Sequence, residues 1–231
     1  MRGESHLIAS FMISLPTIMA LFKMAPDTMT EVIGYILGGV LLGCLLPDVD
    51  ASDAKVMHGY WRPIGLFGKY IFYKPMTWIL RTRSDAYSEK HRGYLHSFIG
   101  CFLATIFFAI PIAIIFLHST YVLLHPLETT IWVWIVWIGL PFGFLMHLAE
   151  DSFTKSGVRW FFPDGKTYSS ETRTGKKSEY NLLSVFIITY DILTVIAYWA
   201  PPSFIVLFGA ILGSLGLLGA LYVANPIISR L

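Results

Sequence analysis

The sequence predicts an all-α integral membrane protein, a single domain over residues 1–231 with about six transmembrane helices. The chain is 55% hydrophobic and only 14% charged, whereas soluble domains carry about 25% charged residues. It contains six apolar runs, each near the roughly 20 residues that a helix needs to cross a bilayer, although the second and fourth are shorter. Its basic residues also fall almost entirely on one side of the resulting topology.

The six predicted spans are residues 7–24, 32–46, 97–117, 131–147, 182–200 and 204–223. Pro16 interrupts the first run, Pro47 ends the second, and a Pro-Pro pair at 201–202 closes the fifth. The second run contains glycines at 34, 38, 39 and 43, a spacing that lets transmembrane helices approach closely.

The distribution of Lys and Arg predicts the orientation of the bundle. Sixteen of the 17 basic residues fall in the two termini and the two long loops, and only Lys23 falls on the opposite side. Because positive residues are retained in the cytoplasm, we expect a multi-pass protein of the inner or plasma membrane with both termini and both long loops cytoplasmic.

The first long loop contains an aromatic segment, residues 61–80, with interspersed basic residues and prolines. It is too polar for a transmembrane span, so we expect an amphipathic segment lying in the cytoplasmic interface. Such a segment would anchor the protein or border a lipid entry path.

Several functional classes find no support in the sequence. The net charge of +2 gives no reason to expect a nucleic-acid partner, and no protein partner is predicted. The chain has no glycine-rich nucleotide loop, G-x-S-x-G elbow or H-E-x-x-H motif. Cys44 and Cys101 both lie in apolar runs, which favours buried thiols over a disulfide.

Histidine and aspartate residues gather beside the predicted cytoplasmic ends of the spans. His147 and Asp151 close the fourth span four residues apart, so on a helix they share one face and form half of a metal site. The other candidate ligands at these ends are His6, Asp48, Asp50, His91 and His96. The sequence does not distinguish Asp48 from Asp50 as the ligand.

Imidazoles combined with carboxylates favour Zn²⁺, with Mn²⁺ as the alternative, over Ca²⁺ or Mg²⁺. Seven candidates exceed the needs of one zinc ion, so we expect either two ions, or one ion with the surplus residues supporting its ligands or acting as general base. The competing interpretation is a hydrogen-bonded polar plug at the membrane edge.

Asp191 lies about a dozen residues into the fifth span, where a carboxylate is energetically unfavourable and indicates a functional role. We expect it to be a hydrogen-bonded partner inside the bundle, for example of Tyr190 or a serine, or part of a polar pathway. His58, in the first long loop, is expected to be a surface residue.

Several short motifs resemble a known family. They are Leu45-Leu46-Pro47-Asp48-Val49-Asp50, His91-Arg92-Gly93-Tyr94-Leu95-His96-Ser97, His147-x-x-x-Asp151-x-x-Thr154-x-x-Gly157, Gly3-x-x-His6, and Arg173-Thr174-Gly175 with Glu179. Together they look like the YdjM-like membrane-bound metal-dependent hydrolases, over residues 3 to 180. Leu95 departs from the family pattern, which commonly has Thr there, and this removes a hydroxyl group without removing a ligand.

The order of these motifs is similar to that of the zinc-dependent phospholipase C and nuclease group, which implies phosphoester hydrolysis at a multi-zinc site. This chain lacks the later H-x-x-x-E motif of that group, and Glu179 is a candidate substitute. The candidate catalytic residues are Asp50, Arg92, Asp151 and Glu179. In the mechanism we expect, a carboxylate that is not bound to metal takes the proton of the attacking water, and Arg92 or Arg173 holds the phosphate oxygens.

The leading hypothesis is therefore a membrane-embedded metal-dependent hydrolase. It would act on a phosphoester of a lipid or other amphiphile at the cytoplasmic interface, with membrane lipid as both solvent and possible substrate. The alternative is a non-enzymatic metal-binding membrane protein, such as a sensor, scaffold or transporter, in which Asp191 belongs to a polar pathway.

Overall fold

The computed structural model describes residues 3–24, 26–84, 87, 92–117, 133, 135–163 and 165–229, with the side chains of 26–31, 112, 113, 115–117 and 135 left undescribed. Within these ranges the chain is helical and contains no strand, which confirms the predicted all-α fold. Two isolated backbone bridges, at Thr154 and Val158, join the two sides of the loop after residue 152.

The described helices are α1 (Gly3–Met24), α2 (Pro26–Leu45), α3 (Arg62–Phe67), α4 (Lys74–Arg81), α5 (Phe98–Leu117), α6 (Leu140–Ser152), α7 (Lys177–Trp199) and α8 (Phe204–Ile228). A 3₁₀ turn, Leu46–Asp50, follows α2, and another, Tyr94–His96, precedes α5. A π-helical turn, Ile135–Gly139, leads directly into α6.

Four stretches of the described chain are long and apolar enough to cross a membrane. They are Gly3–Met24, Val32–Asp50, Lys177–Trp199 and Phe204–Ile228, and Phe98–Pro111 is a shorter apolar stretch. Large apolar side chains such as Trp199 and Ile205 project outward, 78% and 84% exposed, as expected of a surface that faces lipid. The third predicted span, 97–117, is the helix α5, and the fourth, 131–147, is described at residue 133 and from residue 135 onward.

The helices extend beyond the apolar runs that predicted them. α2 begins at Pro26 rather than residue 32, α7 begins at Lys177 rather than 182, and α8 continues to Ile228 rather than 223. Hydropathy locates only the part of a helix that crosses hydrocarbon, whereas the backbone hydrogen bonds continue into polar flanking residues. Pro26 suits the start of a helix because its missing N–H would have no partner there.

α2 and α6 pack with their backbones almost in contact. A Cβ atom on Gly43 would lie 2.1 Å from the Leu140 carbonyl oxygen, and one on Gly143 would lie 1.9 Å from the Val40 carbonyl oxygen. Close packing through glycine was predicted for α2, and Gly43 supports that prediction. Gly34 and Gly38 do not, because each faces open space.

The far end of α1 is tied to the end of α7. The Lys23 ammonium donates hydrogen bonds to the carbonyl oxygens of Tyr198, at 2.5 Å, and of Ala200. Carbonyls at a helix end have no partner within the helix, so the ammonium satisfies them. The one basic residue predicted on that side of the membrane thus has a defined structural role.

The predicted interfacial segment is helical, since α3 and α4 are joined by a π-helical turn at Gly68–Tyr73. Phe72 and Tyr73 are buried against the bundle, whereas Trp78 on α4 is 72% exposed. One face therefore packs on protein and the other is free to contact lipid, as an amphipathic segment requires.

The buried apolar residues form two main clusters on either side of α6. Leu140, Phe144 and Leu148 of α6 belong to the cluster with α2 and the turn before α5. Met146 of α6 belongs instead to the cluster shared by α1, α7 and α8. The last two turns of α6 therefore lie between two apolar cores, and the candidate site is built there.

Candidate metal centre

Five histidine and aspartate side chains meet where the ends of four helices converge. They are His6 in α1, Asp48 after α2, His96 before α5, and His147 and Asp151 in α6. Four of these side chains are at most 2% exposed, and the fifth, that of Asp48, is 17% exposed. Antiparallel helices bring alternate ends together, which explains how positions 145 residues apart in sequence become neighbours.

His147 lies at the centre of this cluster. Its Nδ1 atom is 2.8 Å from the carbonyl oxygen of Cys44, and a carbonyl only accepts, so Nδ1 carries the proton. The lone pair is therefore on Nε2, which is buried and has no hydrogen-bond partner. This Nε2 faces two carboxylate oxygens, of Asp48 at 3.7 Å and of Asp151 at 3.9 Å.

His6 is oriented in the same way by a carboxylate. Its Nδ1 donates to Glu150 Oε2 at 2.7 Å, and Ser10 donates to the other oxygen of Glu150 at 2.8 Å. Its Nε2 then points at Asp151 Oδ1, 3.3 Å away, and its ring stacks on that of His147 at 4.0 Å. In metal sites a carboxylate commonly accepts a hydrogen bond from the other ring nitrogen of a ligating histidine and so fixes the orientation of the ring.

The 3₁₀ turn after α2 brings Asp48 and Asp50 to opposite sides of His96. His96 Nε2 is 3.7 Å from Asp48 Oδ1, and His96 Nδ1 is 3.7 Å from Asp50 Oδ2. Asp48 belongs to a group able to hold a metal, whereas Asp50 is buried behind the ring and also accepts a hydrogen bond from the Arg92 backbone at 3.1 Å. The geometry therefore favours Asp48 as the ligand and Asp50 as the residue that orients His96.

The 3₁₀ turn that carries His96 is held in place by a buried tyrosine, Tyr94. The hydroxyl of Tyr94 lies 3.1 Å from Thr77 in α4 and 3.3 Å from the Tyr73 carbonyl oxygen. Burial raises the pKa of Tyr94 above its ordinary value, so this hydroxyl keeps its proton. The turn is thus fastened to the amphipathic segment.

The Arg92 side chain, which is 19% exposed, is held by contacts within the protein. Its guanidinium contacts Asp151 Oδ2 at 2.7 Å and the Gly157 carbonyl at 2.8 Å. Arg92 is the one non-glycine residue with a positive φ, 60°, in the described chain. Gly157 has a φ of +62°, and a Cβ there would lie 2.4 Å from the Tyr168 carbonyl oxygen. The predicted role in holding phosphate thus competes with a role in positioning Asp151.

Two overlapping groups of side chains could hold a metal ion, and the ligand atoms within each lie within 4.8 Å of one another. The groups are His6, His147 and Asp151, and Asp48, His96 and His147. An imidazole nitrogen has one lone pair, so His147 Nε2 can bind a single ion. The donors are nitrogen and oxygen, which suits Zn²⁺ or Mn²⁺.

A cavity of about 600 Å³ opens beside the cluster. Its lining is Gly3, Glu4, Asp48, Ala51, Asp53, Ala54, Lys55, His58, Arg92, Ser156 and Thr174. Asp48, whose side chain is 17% exposed, is the residue that links this cavity to the buried histidines. A salt bridge between Lys55 and Glu4, at 2.6 Å, lies on its rim, and His58 is exposed as predicted.

The remaining predicted site residues are His91, Glu179 and Arg173. His91 is outside the described residues. Glu179, at the start of α7, accepts a hydrogen bond from the Gly175 backbone at 2.5 Å, and neither metal-compatible group includes it. Arg173 is exposed, and its backbone N–H donates to Ser178.

Asp191 differs from expectation, because it is exposed on the outer face of α7 and not inside the bundle. Its neighbour Tyr190 instead donates to the Ser214 carbonyl at 2.9 Å. Hydropathy gives the depth of a residue in a helix but not the direction in which it points. The hypothesis of a polar pathway through the bundle thereby loses its principal residue.

Sequence reasoning missed the residues that support the ligands. Glu150 and Ser10, both buried, hold His6, and the carbonyl of Cys44 fixes His147. Ser10 lies four residues after His6 on the same helical face, a signal that was available. A backbone carbonyl leaves no such signal, because every residue has one.

These features define a class: a helical membrane protein with a buried histidine and aspartate cluster at one end of its bundle. The chain belongs to the YdjM inner membrane protein family, which matches residues 1–227. No curated protein and no solved structure matches it.

Proposed function

We propose that this protein is a membrane-embedded metal-dependent hydrolase that cleaves a phosphoester of a lipid or other amphiphile. The observation that carries the proposal is His147 Nε2, a buried lone pair without a hydrogen-bond partner, facing the Asp48 and Asp151 carboxylates. A polar plug would be expected to pair this nitrogen, because an unsatisfied buried polar atom is destabilising by about 1–3 kcal/mol. A cation between imidazole and carboxylates removes that penalty.

Each residue of the cluster has a role in this proposal. His6, His147 and Asp151, together with Asp48 and His96, would hold one or two divalent ions, with zinc as the leading candidate and manganese as the alternative. When bound, such an ion polarises a phosphoryl oxygen and acidifies a coordinated water. Glu150 and Asp50 orient His6 and His96, and Arg92 fixes Asp151.

The shape of the site supports an amphiphilic substrate. Most residues that line the cavity beside Asp48 are charged or bear a hydroxyl group, and Gly3, Ala51 and Ala54 add small apolar surface. The cavity lies at the end of the bundle where the long loops emerge. From the distribution of basic residues we place this end at the cytoplasmic interface. A headgroup in the cavity would leave the acyl or isoprenoid chains in the membrane. The analogy with zinc-dependent phospholipase C stays an argument from motif order.

The first test is the metal content of detergent-purified protein by elemental analysis. We expect one or two equivalents of zinc or manganese in the wild type and less than a tenth of that in a His147→Ala/Asp151→Ala variant. His58→Ala, which changes an exposed histidine on the cavity rim, is the control and should retain the metal. Protein without metal after reconstitution would favour the polar plug.

Activity is tested next on phospholipids and isoprenoid phosphates in mixed micelles. We expect release of a phosphorylated or dephosphorylated product by the wild type, abolished by chelation and absent from the double variant. Bound metal without turnover of any substrate would instead support a metal-binding protein that is not an enzyme.

A further inference from the structure

The amphipathic segment formed by α3, the π-helical turn and α4 carries basic but no acidic residues. Residues 54–84 contain six Lys or Arg residues and no Asp or Glu. Lys74 and Arg81 are exposed, and the large apolar side chains of Trp78 and Ile79 beside them are 72% and 51% exposed. A surface that combines exposed aromatic and basic side chains is typical of a segment that lies among the headgroups of a membrane.

Contacts with α5 show how this segment is inclined to the membrane. The ring of Phe72 packs on that of Phe107, with the centroids 5.2 Å apart. Phe107 is nine residues after the first residue of the apolar helix α5, which corresponds to roughly 14 Å of helix. Thr77 instead lies 3.1 Å from the hydroxyl of Tyr94, which precedes α5. The segment therefore runs from hydrocarbon depth towards the membrane surface, and α4 is at the outer end.

The cationic groups of α4 lie on one exposed face of the helix. Lys74 and Trp78 are four residues apart and Arg81 follows three residues later, so the three side chains are neighbours on the helix surface. The Lys74 ammonium lies 4.7 Å from the ring centroid of Tyr70, a cation–π contact that holds it at this surface. Two cations beside an exposed indole can bind a phosphate group while the indole lies between the headgroups and the acyl chains.

We propose that this face of α4, formed by Lys74, Trp78 and Arg81, binds the headgroup of an anionic phospholipid, with Phe67 and Ile71 along its acyl chains. The two cations complement a headgroup of net negative charge, whereas a zwitterionic headgroup brings its own cation and gains less. Phe67 and Ile71 are 51% and 50% exposed at the deeper end of the segment, where a soluble acidic partner would leave them uncovered. This inference depends neither on the metal site nor on hydrolase activity.

Native mass spectrometry of the detergent-purified protein tests the lipid preference. With equal amounts of phosphatidylglycerol and phosphatidylcholine added, we expect the wild type to retain phosphatidylglycerol in several-fold excess. Lys74→Gln/Arg81→Gln should bind phosphatidylglycerol roughly tenfold more weakly, because each basic residue near a membrane surface strengthens anionic lipid binding. Its binding of phosphatidylcholine should not change, which shows that the protein is folded.

The matched control is Lys166→Gln/Lys176→Gln, which removes two exposed positive charges from the loop between α6 and α7. It should keep the wild-type preference, because the charges it removes lie outside the α4 face.

Two further variants separate the α4 face from other causes of lipid binding. Lys74→Arg/Arg81→Lys keeps both charges and should retain the preference. His147→Ala/Asp151→Ala, which changes two candidate metal ligands, should retain it as well. The proposal is overturned if the wild type binds both lipids equally, if the loop variant weakens phosphatidylglycerol binding as much as the α4 variant does, or if only the metal-site variant loses it, since the lipid would then occupy the cavity beside Asp48.

Discussion

At the scale of single residues, the site depends on how its histidines are held. His147 and His6 each donate Nδ1–H to an oxygen of the protein, the Cys44 carbonyl in one case and Glu150 in the other. Both rings therefore present Nε2 to the same carboxylate, Asp151. Fixing the tautomer before a metal arrives reduces the ordering that binding requires, which raises affinity.

Glu150→Gln tests this arrangement. The amide keeps the size of the side chain but loses the charge that holds the His6 proton, so we expect zinc affinity to fall roughly 10–100-fold. Competition with a chromogenic chelator measures the change. Glu171→Gln, at an exposed carboxylate 3.3 Å from Lys155, is the control and should bind as the wild type does. Equal affinity in the two variants would contradict the role of Glu150.

At the scale of helices, the glycine contacts between α2 and α6 set the distance across the site. Gly43 lies beside Cys44, whose carbonyl holds His147, and Gly143 is one turn before His147 on α6. The close approach of the two backbones is therefore what brings the Cys44 carbonyl and Asp48 within reach of the imidazole. Packing and ligand geometry are consequences of the same contact.

Gly143→Ala should disturb both the packing of α2 against α6 and the geometry of the metal ligands. Its new methyl group would overlap the Val40 carbonyl, so we expect the helices to separate, with a loss of stability of about 1–3 kcal/mol and a reduced metal content. Thermal unfolding and elemental analysis measure the two effects. Gly38→Ala on α2 adds the same methyl group where nothing lies within 4 Å, and it should change neither quantity. A Gly143→Ala protein with wild-type stability would show that the contact is not required.

At the scale of the whole molecule, the proposed metal would link segments that the chain itself does not join. His6, Asp48, His96 and Asp151 lie on four separate helix ends. A ligand that binds only the folded state stabilises it, by about 2.7 kcal/mol at a free concentration 100 times the dissociation constant. The bundle should therefore be more stable with metal than without it.

Chelation tests that expectation. We expect EDTA to lower the unfolding temperature of the detergent-purified protein, and added zinc to restore it. The His147→Ala/Asp151→Ala variant should unfold at the same temperature with and without EDTA. A shift of equal size in that variant would mean that the chelator acts elsewhere.

The sequence predicted which helix ends meet, because hydropathy and basic residues define the topology, and topology decides which ends share a side. It therefore placed His6, Asp48, His96, His147 and Asp151 in one region. It could not choose between Asp48 and Asp50, since that choice depends on the 3₁₀ turn. Nor could it show that Asp191 faces outward, because the direction of a side chain depends on how α7 packs against its neighbours.

Contacts near both ends of α1 fix the length of helix between them. Near one end His6 engages Glu150, and near the other Lys23 caps α7; the 17 intervening steps correspond to roughly 26 Å of helix. Inserting a single residue between them would shift one anchor by 1.5 Å and rotate it by about 100°. Either the histidine or the lysine would then miss its partner. The number of residues in this stretch is thus as strict a requirement as their identity.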